Sequence, residues 1–274
     1  MTMSRSVSHQ PQRPEGTQSI QRSTALLRMV ATHNRLGLRI VDLCKLSGLR
    51  RPTVQRIVGC LAAEGLIARH PKTGSYHLGH LIYELGLTAA PAFKLQDVCA
   101  THLARLAETT GDMVFLVVRS GYDALCIDRK EGPFPIRTYT LEVGTRRPLG
   151  IGAGSLAILG ALSSEEAAEV VEHNKLRLAA HNGLTGDKLL RMAEQTRQRG
   201  YAMHDGSVSG ARAVGLALRD SAGRAYAGIS VSGITSRMQP QRCSAIARQI
   251  QAEIELIEAA TRRHGTPGTF ARAR

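Results

Sequence analysis

The 274-residue sequence contains no hydrophobic run long enough to span a membrane. Its first residues, MTMSRSVSHQPQRPEG, have no hydrophobic stretch after their charges, so we expect no secretory signal and a cytoplasmic protein without a membrane partner. The five cysteines are widely spaced and form no C-x-x-C pair, which argues against a disulfide framework and a zinc ribbon. No histidine pair has a convincing third ligand, so we expect neither a metal nor a cofactor.

Catalytic patterns are also scarce. The sequence has no G-x-S-x-G stretch, and no spacing singles out a Ser-His-Asp triad. GAGSLA, residues 152–157, does fit G-x-G-x-x-A and has Glu172 downstream, which leaves an NAD(P)-dependent oxidoreductase as an alternative. The preceding GTRRPLGI places a proline and two arginines where a buried parallel strand should lie, and no βαβ alternation follows. We therefore expect no enzymatic activity.

Acidic residues are few in the first third of the chain. Residues 1–89 contain 12 Lys/Arg against 4 Asp/Glu, whereas residues 90–261 contain 20 against 18. Four arginines near the C-terminus complete the net charge of +14. An excess of positive charge in one segment indicates a polyanionic partner for that segment.

That basic segment contains two short helical patterns separated by a turn at Ser47 and Gly48, within RIVDLCKLSGLRRPTVQRIVGCLAAEGLI. The second pattern has Pro52 in its first turn, where proline is tolerated. Apolar residues recur there at i, i+3, i+4 and i+7, which predicts a buried face formed by Val54, Ile57, Val58 and Leu61. Hydrogen-bonding side chains remain at the start and on the outer side of this helix: Arg50, Arg51, Thr53, Gln55 and Arg56.

A β-hairpin pattern follows the second helix. LIARH and YHLG flank the turn PKTGS, which places Lys72 and Thr73 at the tip of the hairpin. Two helices, a basic second helix and a hairpin predict a winged helix-turn-helix domain over residues 18–80. The major groove of B-DNA admits one such helix, where arginine reads guanine and glutamine reads adenine. We therefore expect double-stranded DNA as a partner, with Lys72 and Thr73 touching the flanking backbone or the minor groove.

The rest of the chain has a different character. Apolar or alternating stretches predict strands at MVFLVVRS, DALCIDRKE, IRTYTLEV and YAGISVSG, and helical patterns lie between and after them. This predicts an α+β fold of two domains, the second with a mostly antiparallel sheet. The expected divisions are a flexible arm (1–17), the DNA-binding domain (18–80), a linker helix (81–90), the second domain (91–262) and a basic disordered tail (263–274).

The sequence resembles the IclR family of bacterial transcription regulators. SIQRSTALLRMV is similar to the first helix of that family, and GLRRPTVQRIVGCLAAEGLIARHPKTGSYHLG is similar to its helix-turn-helix and wing. GTRRPLGIGAGSLAILGAL, RGYAMHD and AGISVSG resemble its later landmarks, so the likeness covers residues 19–262. The GLxRPT variant looks most like members that control the catabolism of aromatic compounds.

The resemblance implies that the second domain is a GAF-like sensor that binds a small metabolite, here an aromatic or other organic acid. Carried over by motif, the effector-binding residues would be Ala153, Gly154, Ser155, His204, Asp205, Ala213, Ser230 and Ser232. A helix beginning at the Gly-rich stretch suits a carboxylate, and two serines two residues apart share one side of a strand. Arg146, Arg147 and Arg212 are candidate counter-charges, but each is interpreted as a surface residue.

The predicted function is a ligand-responsive transcription regulator that binds a palindromic operator as a homo-oligomer, either dimer or tetramer. A DNA-binding protein that needs no ligand is a second alternative. The size of the second domain argues against it, because a protein that only binds DNA does not need a further fold of that size.

Overall fold

The computed structural model describes residues 17–89, 95–205 and 210–264, which form two compact units. Described residues up to Ala89 belong to the first unit and those from Leu95 belong to the second. Residues 1–16 of the predicted arm and 265–274 of the predicted tail lie outside the described residues. None of the helices in the described ranges combines the length and hydrophobicity that crossing a membrane requires.

The first unit has the predicted order of three helices, a hairpin and a further helix. Its elements are α1 (Gln18–Thr32), α2 (Ile40–Ser47), α3 (Arg51–Ala63), β1 (Ile67–Arg69), β2 (Tyr76–Leu78) and α4 (His80–Ala89). Helix α1 begins at Gln18, one residue before the SIQRSTALLRMV stretch that resembles the first helix of the family. The winged helix-turn-helix prediction is confirmed, with β1 and β2 pairing antiparallel as the wing.

The turn between α2 and α3 depends on Gly48. Its φ of 69° lies in the left-handed region that glycine tolerates, and its N–H donates to the Cys44 carbonyl at 2.9 Å. The chain then turns into α3, whose first turn contains Pro52. The four apolar residues predicted to form the inner side of α3 are all buried, which confirms that prediction. They pack with side chains from α1, α2 and β1: Leu26, Val30, Leu43 and Ile67.

The second unit is an α+β fold built on a six-stranded sheet. Its elements are α5 (Leu95–Thr110), β3 (Met113–Ser120), β4 (Asp123–Lys130), β5 (Arg146–Pro148), α6 (Ala153–Gly160), α7 (Ser164–Leu178), α8 (Gly186–Arg199), β6 (Ala202–Asp205), β7 (Ala211–Arg219), β8 (Ala225–Ile234) and α9 (Pro240–His264). The strand order is β5-β4-β3-β8-β7-β6, and every described pair is antiparallel.

Both faces of this sheet are covered by helices. Along β3, Val114, Leu116 and Val118 pack into a core shared with α5 and α9. The alternate residues Phe115 and Val117 face a second core shared with α6, α7 and α8. Burial on both faces explains why MVFLVVRS is an almost continuous apolar run rather than an alternating one.

Two features of the sheet differ from the predictions. IRTYTLEV, residues 136–143, forms no strand, so that prediction was wrong. Thr138 within it instead donates its hydroxyl to the carbonyl and the hydroxyl of Ser232, at 3.0 and 2.9 Å, and the segment runs irregularly to β5. Strands β6 and β7 were not predicted, because the alanine and glycine of β7 give only a weak strand signal.

Candidate functional site

The outer side of α3 and the turn before it are cationic and exposed. Arg50, Arg51, Gln55 and Arg56 are exposed, and Thr53 is half-buried. Among the residues that the structure describes, these three arginines form no ion pair with an acid. A positive face with no internal counter-charge is suited to an external anion.

The wing brings two more predicted residues to the surface. Lys72 and Thr73 are exposed in the turn between β1 and β2. The Thr73 hydroxyl lies 2.6 Å from that of Ser75, which in turn lies 3.0 Å from Nε2 of His77. The Nδ1 of His77 lies 2.7 Å from the Asn34 carbonyl, so the wing is tied to the turn after α1.

A pocket of about 480 Å³, including its open mouth, lies on the side of the sheet covered by α6. Its floor follows the strand register, in which Phe115 of β3 lies opposite Ser230 of β8. The neighbouring row joins Ser232 of β8 to Ala213 of β7 and His204 of β6. The remaining walls are formed by Val117, Thr140, Leu141, Arg147, Ile151, Gly152, Ala153, Gly154 and Ser155.

Helix α6 lies unusually close to the sheet beside this pocket. A Cβ added at Gly228 of β8 would lie 2.3 Å from the Gly154 carbonyl oxygen. One added at Gly215 of β7 would lie 2.5 Å from the carbonyl carbon of Ala153. The two strand glycines therefore let the first turn of α6 rest directly on the sheet, with its N-terminus at the pocket.

The serine hydroxyls in the pocket differ in their hydrogen-bond partners. Ser155 accepts a hydrogen bond from the Gly150 N–H at 2.7 Å, and Ser232 accepts one from Thr138. Ser230 as a residue is 6% exposed, and its hydroxyl has no hydrogen-bond partner within the described part of the chain. Of these three serines, Ser230 is the one whose hydroxyl has both its proton and its lone pairs free for a ligand.

Arg147 is the cation of the pocket. It lies on β5 opposite Ala124, which belongs to the core on the pocket side, whereas Arg146 lies opposite Leu125 and pairs with Asp123. One Nη of Arg147 donates to the Thr140 carbonyl at 2.5 Å, and none of the described acids forms an ion pair with it. Burial lowers the pKa of the Arg147 guanidinium, a shift that Cys126 partly opposes. The expectation that Arg147 is a surface residue was wrong, because β5 is a pocket wall.

Electrostatics around His204 are predominantly positive. Burial lowers the pKa of His204, Asp205 opposes this shift, and Arg147, His181 and Lys188 reinforce it. Arg147 and His204 come from the two edge strands of the sheet yet line one pocket, so the sheet curls around it. The interior therefore presents more positive than negative charge to a ligand.

Seven of the eight residues predicted to bind an effector line this single pocket. The exception is Asp205, which follows His204 on β6 and therefore points to the other side of the strand. Its carboxylate is exposed and pairs with Arg212, its partner in the ladder. Arg212 donates hydrogen bonds to the Asp205 carboxylate and to the Met238 carbonyl, and it does not line the pocket.

The strand context of GAGSLA does not fit a dinucleotide-binding unit. The preceding strand, β5, has three residues and pairs antiparallel with β4, whereas the fingerprint needs a parallel βαβ unit. In the described ranges, no three His, Cys, Asp or Glu side chains converge as metal ligands would.

Two protein-family models match successive parts of this chain. Residues 19–71 match the IclR helix-turn-helix domain, and residues 88–259 match the C-terminal domain of bacterial transcriptional regulators of the IclR type. The HTH-type transcriptional regulator KipR of Bacillus subtilis (strain 168) is 26% identical over 235 residues, which are 85% of this chain and 92% of KipR. The transcriptional repressor IclR of Escherichia coli (strain K12) is 25% identical over 229 residues, covering 82% and 83% of the two chains.

Solved structures share the fold. The crystal structure of an IclR homolog from Microbacterium hydrocarbonoxydans, complexed with 4-hydroxybenzoate, superposes with a TM-score of 0.65 at 20% identity. The match covers 88% of this chain and 99% of that one.

Proposed function

Since the chain belongs to the IclR family of bacterial transcriptional regulators, we propose that a small organic acid bound in the pocket of the second unit controls its binding to DNA. DNA binding and transcription regulation are properties of the family, and the curated relatives are transcription regulators. The identity of the ligand as an acid, the residues that bind it and the residues that contact DNA are our proposal.

The DNA contacts are proposed for the outer side of α3 and the wing. The observation that carries this assignment is the set of exposed arginines without acidic partners, on a helix whose opposite side is fully buried. Residues at the start of a recognition helix reach base edges, whereas a wing reaches the backbone beside them. The proposed contacts are Arg50, Arg51, Thr53, Gln55, Arg56, Lys72 and Thr73.

An acid suits the pocket for three physical reasons. The N-terminus of α6 attracts an anion, Ser230 offers an unpaired hydroxyl in the pocket lining, and Arg147 supplies a positive charge. The walls between them include Phe115, Val117 and Ile151, which suit an aromatic or aliphatic body. The related protein complexed with 4-hydroxybenzoate supports an aromatic acid as the first choice of probe.

The test begins with a thermal-shift screen of benzoate, 4-hydroxybenzoate and short aliphatic acids against the full chain, because a ligand of the native state raises the melting temperature. Each hit is then titrated into a complex of the protein with labelled DNA from upstream of its own gene. We expect at least one acid to raise the melting temperature and to change DNA affinity. An acid that stabilises the protein but leaves DNA affinity unchanged would contradict the coupling.

Ser230 and Ser232 form a matched pair of variants. Ser230→Ala removes the unpaired hydroxyl and is expected to weaken acid binding by about 10- to 150-fold, since a hydrogen bond to a charged group contributes about 1.5–3 kcal/mol. Ser232→Ala removes a hydroxyl already bonded to Thr138, so its effect on acid binding is expected to be smaller. DNA binding without acid should be unchanged in Ser230→Ala. Equal acid affinity in wild type and Ser230→Ala would remove this residue from the site.

Self-association and a palindromic operator complete the proposal, because a two-fold protein pairs with two-fold DNA. Helix α4 supports it: none of its residues is buried, and Tyr83, Leu85 and Leu87 are more than half exposed. Sedimentation of the full chain over a range of concentrations is expected to show a dimer or a tetramer. A monomer at the concentration where DNA is bound would contradict it.

A further inference from the structure

We propose that the ligand of the pocket is a dicarboxylate, and that Arg147 binds its second carboxylate. The inference rests on the proposed function, because it concerns the effector of that same site. It goes further by naming the charge of the ligand and by assigning Arg147, one of three candidate counter-charges in the sequence, to a second carboxylate.

The first anchor for an anion is the start of α6 together with Ser230. The eight residues of α6 are all buried, and its first turn rests on β8, where Ser230 lies. A Cβ added at Gly154 would lie 3.4 Å from the Ser230 hydroxyl oxygen, so this hydroxyl abuts the helix start. A hydroxyl without a partner on a buried residue, beside backbone N–H groups at a helix N-terminus, fits one carboxylate.

The second anchor is Arg147, which comes from a different element, β5. Only the Thr140 carbonyl accepts a hydrogen bond from its side chain among the described residues, so other N–H groups of the guanidinium remain for a ligand. A guanidinium binds a carboxylate with two parallel hydrogen bonds, a geometry that a backbone carbonyl cannot satisfy. A half-buried arginine without an acidic partner therefore leaves room for a carboxylate of the ligand.

The charge around the pocket also favours a dianion over a monoanion. Arg147, His181 and Lys188 all lower the pKa of His204, and they come from β5, the segment after α7, and α8. Asp205 is the one described acid that opposes them there, and its carboxylate is paired with Arg212. A monocarboxylate held at α6 would leave Arg147 uncompensated, whereas a dicarboxylate would neutralise both anchors.

The experiment measures binding of matched acids to the full-length protein by calorimetry. The probes are benzoate against each of the three benzenedicarboxylates, and hexanoate against adipate, so that the body is constant and only the second carboxylate changes. We expect at least one dicarboxylate to bind about tenfold or more tightly than its monocarboxylate partner, as a charge-assisted bidentate pair provides. Equal affinities in both series would overturn the proposal, and this comparison uses the wild-type protein alone.

Arg147→Gln and Arg146→Gln are the matched variants, since they remove the same charge from neighbouring positions on β5. Arg147→Gln is expected to abolish the preference for the dicarboxylate, and Arg146→Gln is expected to retain it. A preference that survives in Arg147→Gln would overturn the role of Arg147. If monocarboxylates bind and change DNA affinity as well as dicarboxylates do, the proposed function stands and this inference fails. If no acid binds, both fail.

Discussion

Replacing Gly228 with alanine tests whether the contact between α6 and the sheet shapes the pocket. The added Cβ would lie 2.3 Å from the Gly154 carbonyl oxygen and 2.9 Å from the carbonyl carbon of the same residue. Both atoms are backbone, so no side chain can rotate away, and the start of α6 must move from β8. Overpacking of this kind costs about 1–3 kcal/mol, and the upper end applies where backbone must shift.

For a unit of this size, a loss of about 3 kcal/mol lowers the melting temperature by roughly 6–12 °C. Calorimetry or circular dichroism should follow the melting, because the chain has no tryptophan to serve as a fluorescent probe. Acid binding should weaken in Gly228→Ala as well, since Ser230 and the first turn of α6 would separate.

Gly86→Ala is the control substitution with the opposite expected sign. Gly86 lies inside α4, and a Cβ added there would meet no atom within 4 Å. Alanine in place of glycine inside a helix stabilises it by about 0.5–1 kcal/mol. If Gly228→Ala melted together with wild type and bound acids normally, the close contact between α6 and β8 would not be a determinant of the pocket.

Two further predictions concern the proposed DNA-binding side of α3 and the imidazole of His204 in the pocket. Arg51→Ala should weaken specific DNA binding by about 1–3 kcal/mol, or roughly 5- to 150-fold. Arg191→Ala, the same change at an exposed position of α8, should leave DNA binding unchanged. Fluorescence anisotropy with upstream DNA measures both variants, and equal affinities of Arg51→Ala and wild type would contradict the contact. His204→Asn should reduce the pH dependence of stability. Burial places the pKa of His204 in the folded state below the ordinary 6.5, so the unfolded state binds a proton first as pH falls. The free energy of unfolding therefore decreases as pH falls below about 6.5. Urea unfolding at about pH 7.5 and pH 5.5 should show a smaller loss in the variant, with a remainder from His181, whose pKa is also lowered, and an unchanged loss would refute the assignment.

The sequence alone was sufficient where local periodicity determines structure. The two sides of α3 follow from its apolar spacing, since a helix of about three turns with one buried side must expose the rest. The pocket members came instead from motif resemblance, because they lie on β6, β7, β8 and α6 and only the folded sheet brings them together.

Arg147 and Asp205 show why the remainder could not be predicted. The direction of Arg147 depends on its pairing with Ala124 across β4 and β5, a contact between residues far apart in sequence. The exclusion of Asp205 follows from alternation along β6, and β6 itself was not predicted. IRTYTLEV alternates as a strand would, but the bonds of Thr138 to Ser232 hold it in an irregular path. Tertiary contacts overrode the local pattern at this point.

The most direct measurement is an anisotropy titration of upstream DNA with the full-length protein, with and without a saturating acid identified by thermal shift. If α3 lies in the major groove, DNA binding weakens steeply as the salt concentration rises. If the pocket responds to the acid, the acid changes DNA affinity, and this change is smaller in Ser230→Ala. DNA affinity that does not respond to the acid, or that is the same in Arg51→Ala as in wild type, would contradict the account.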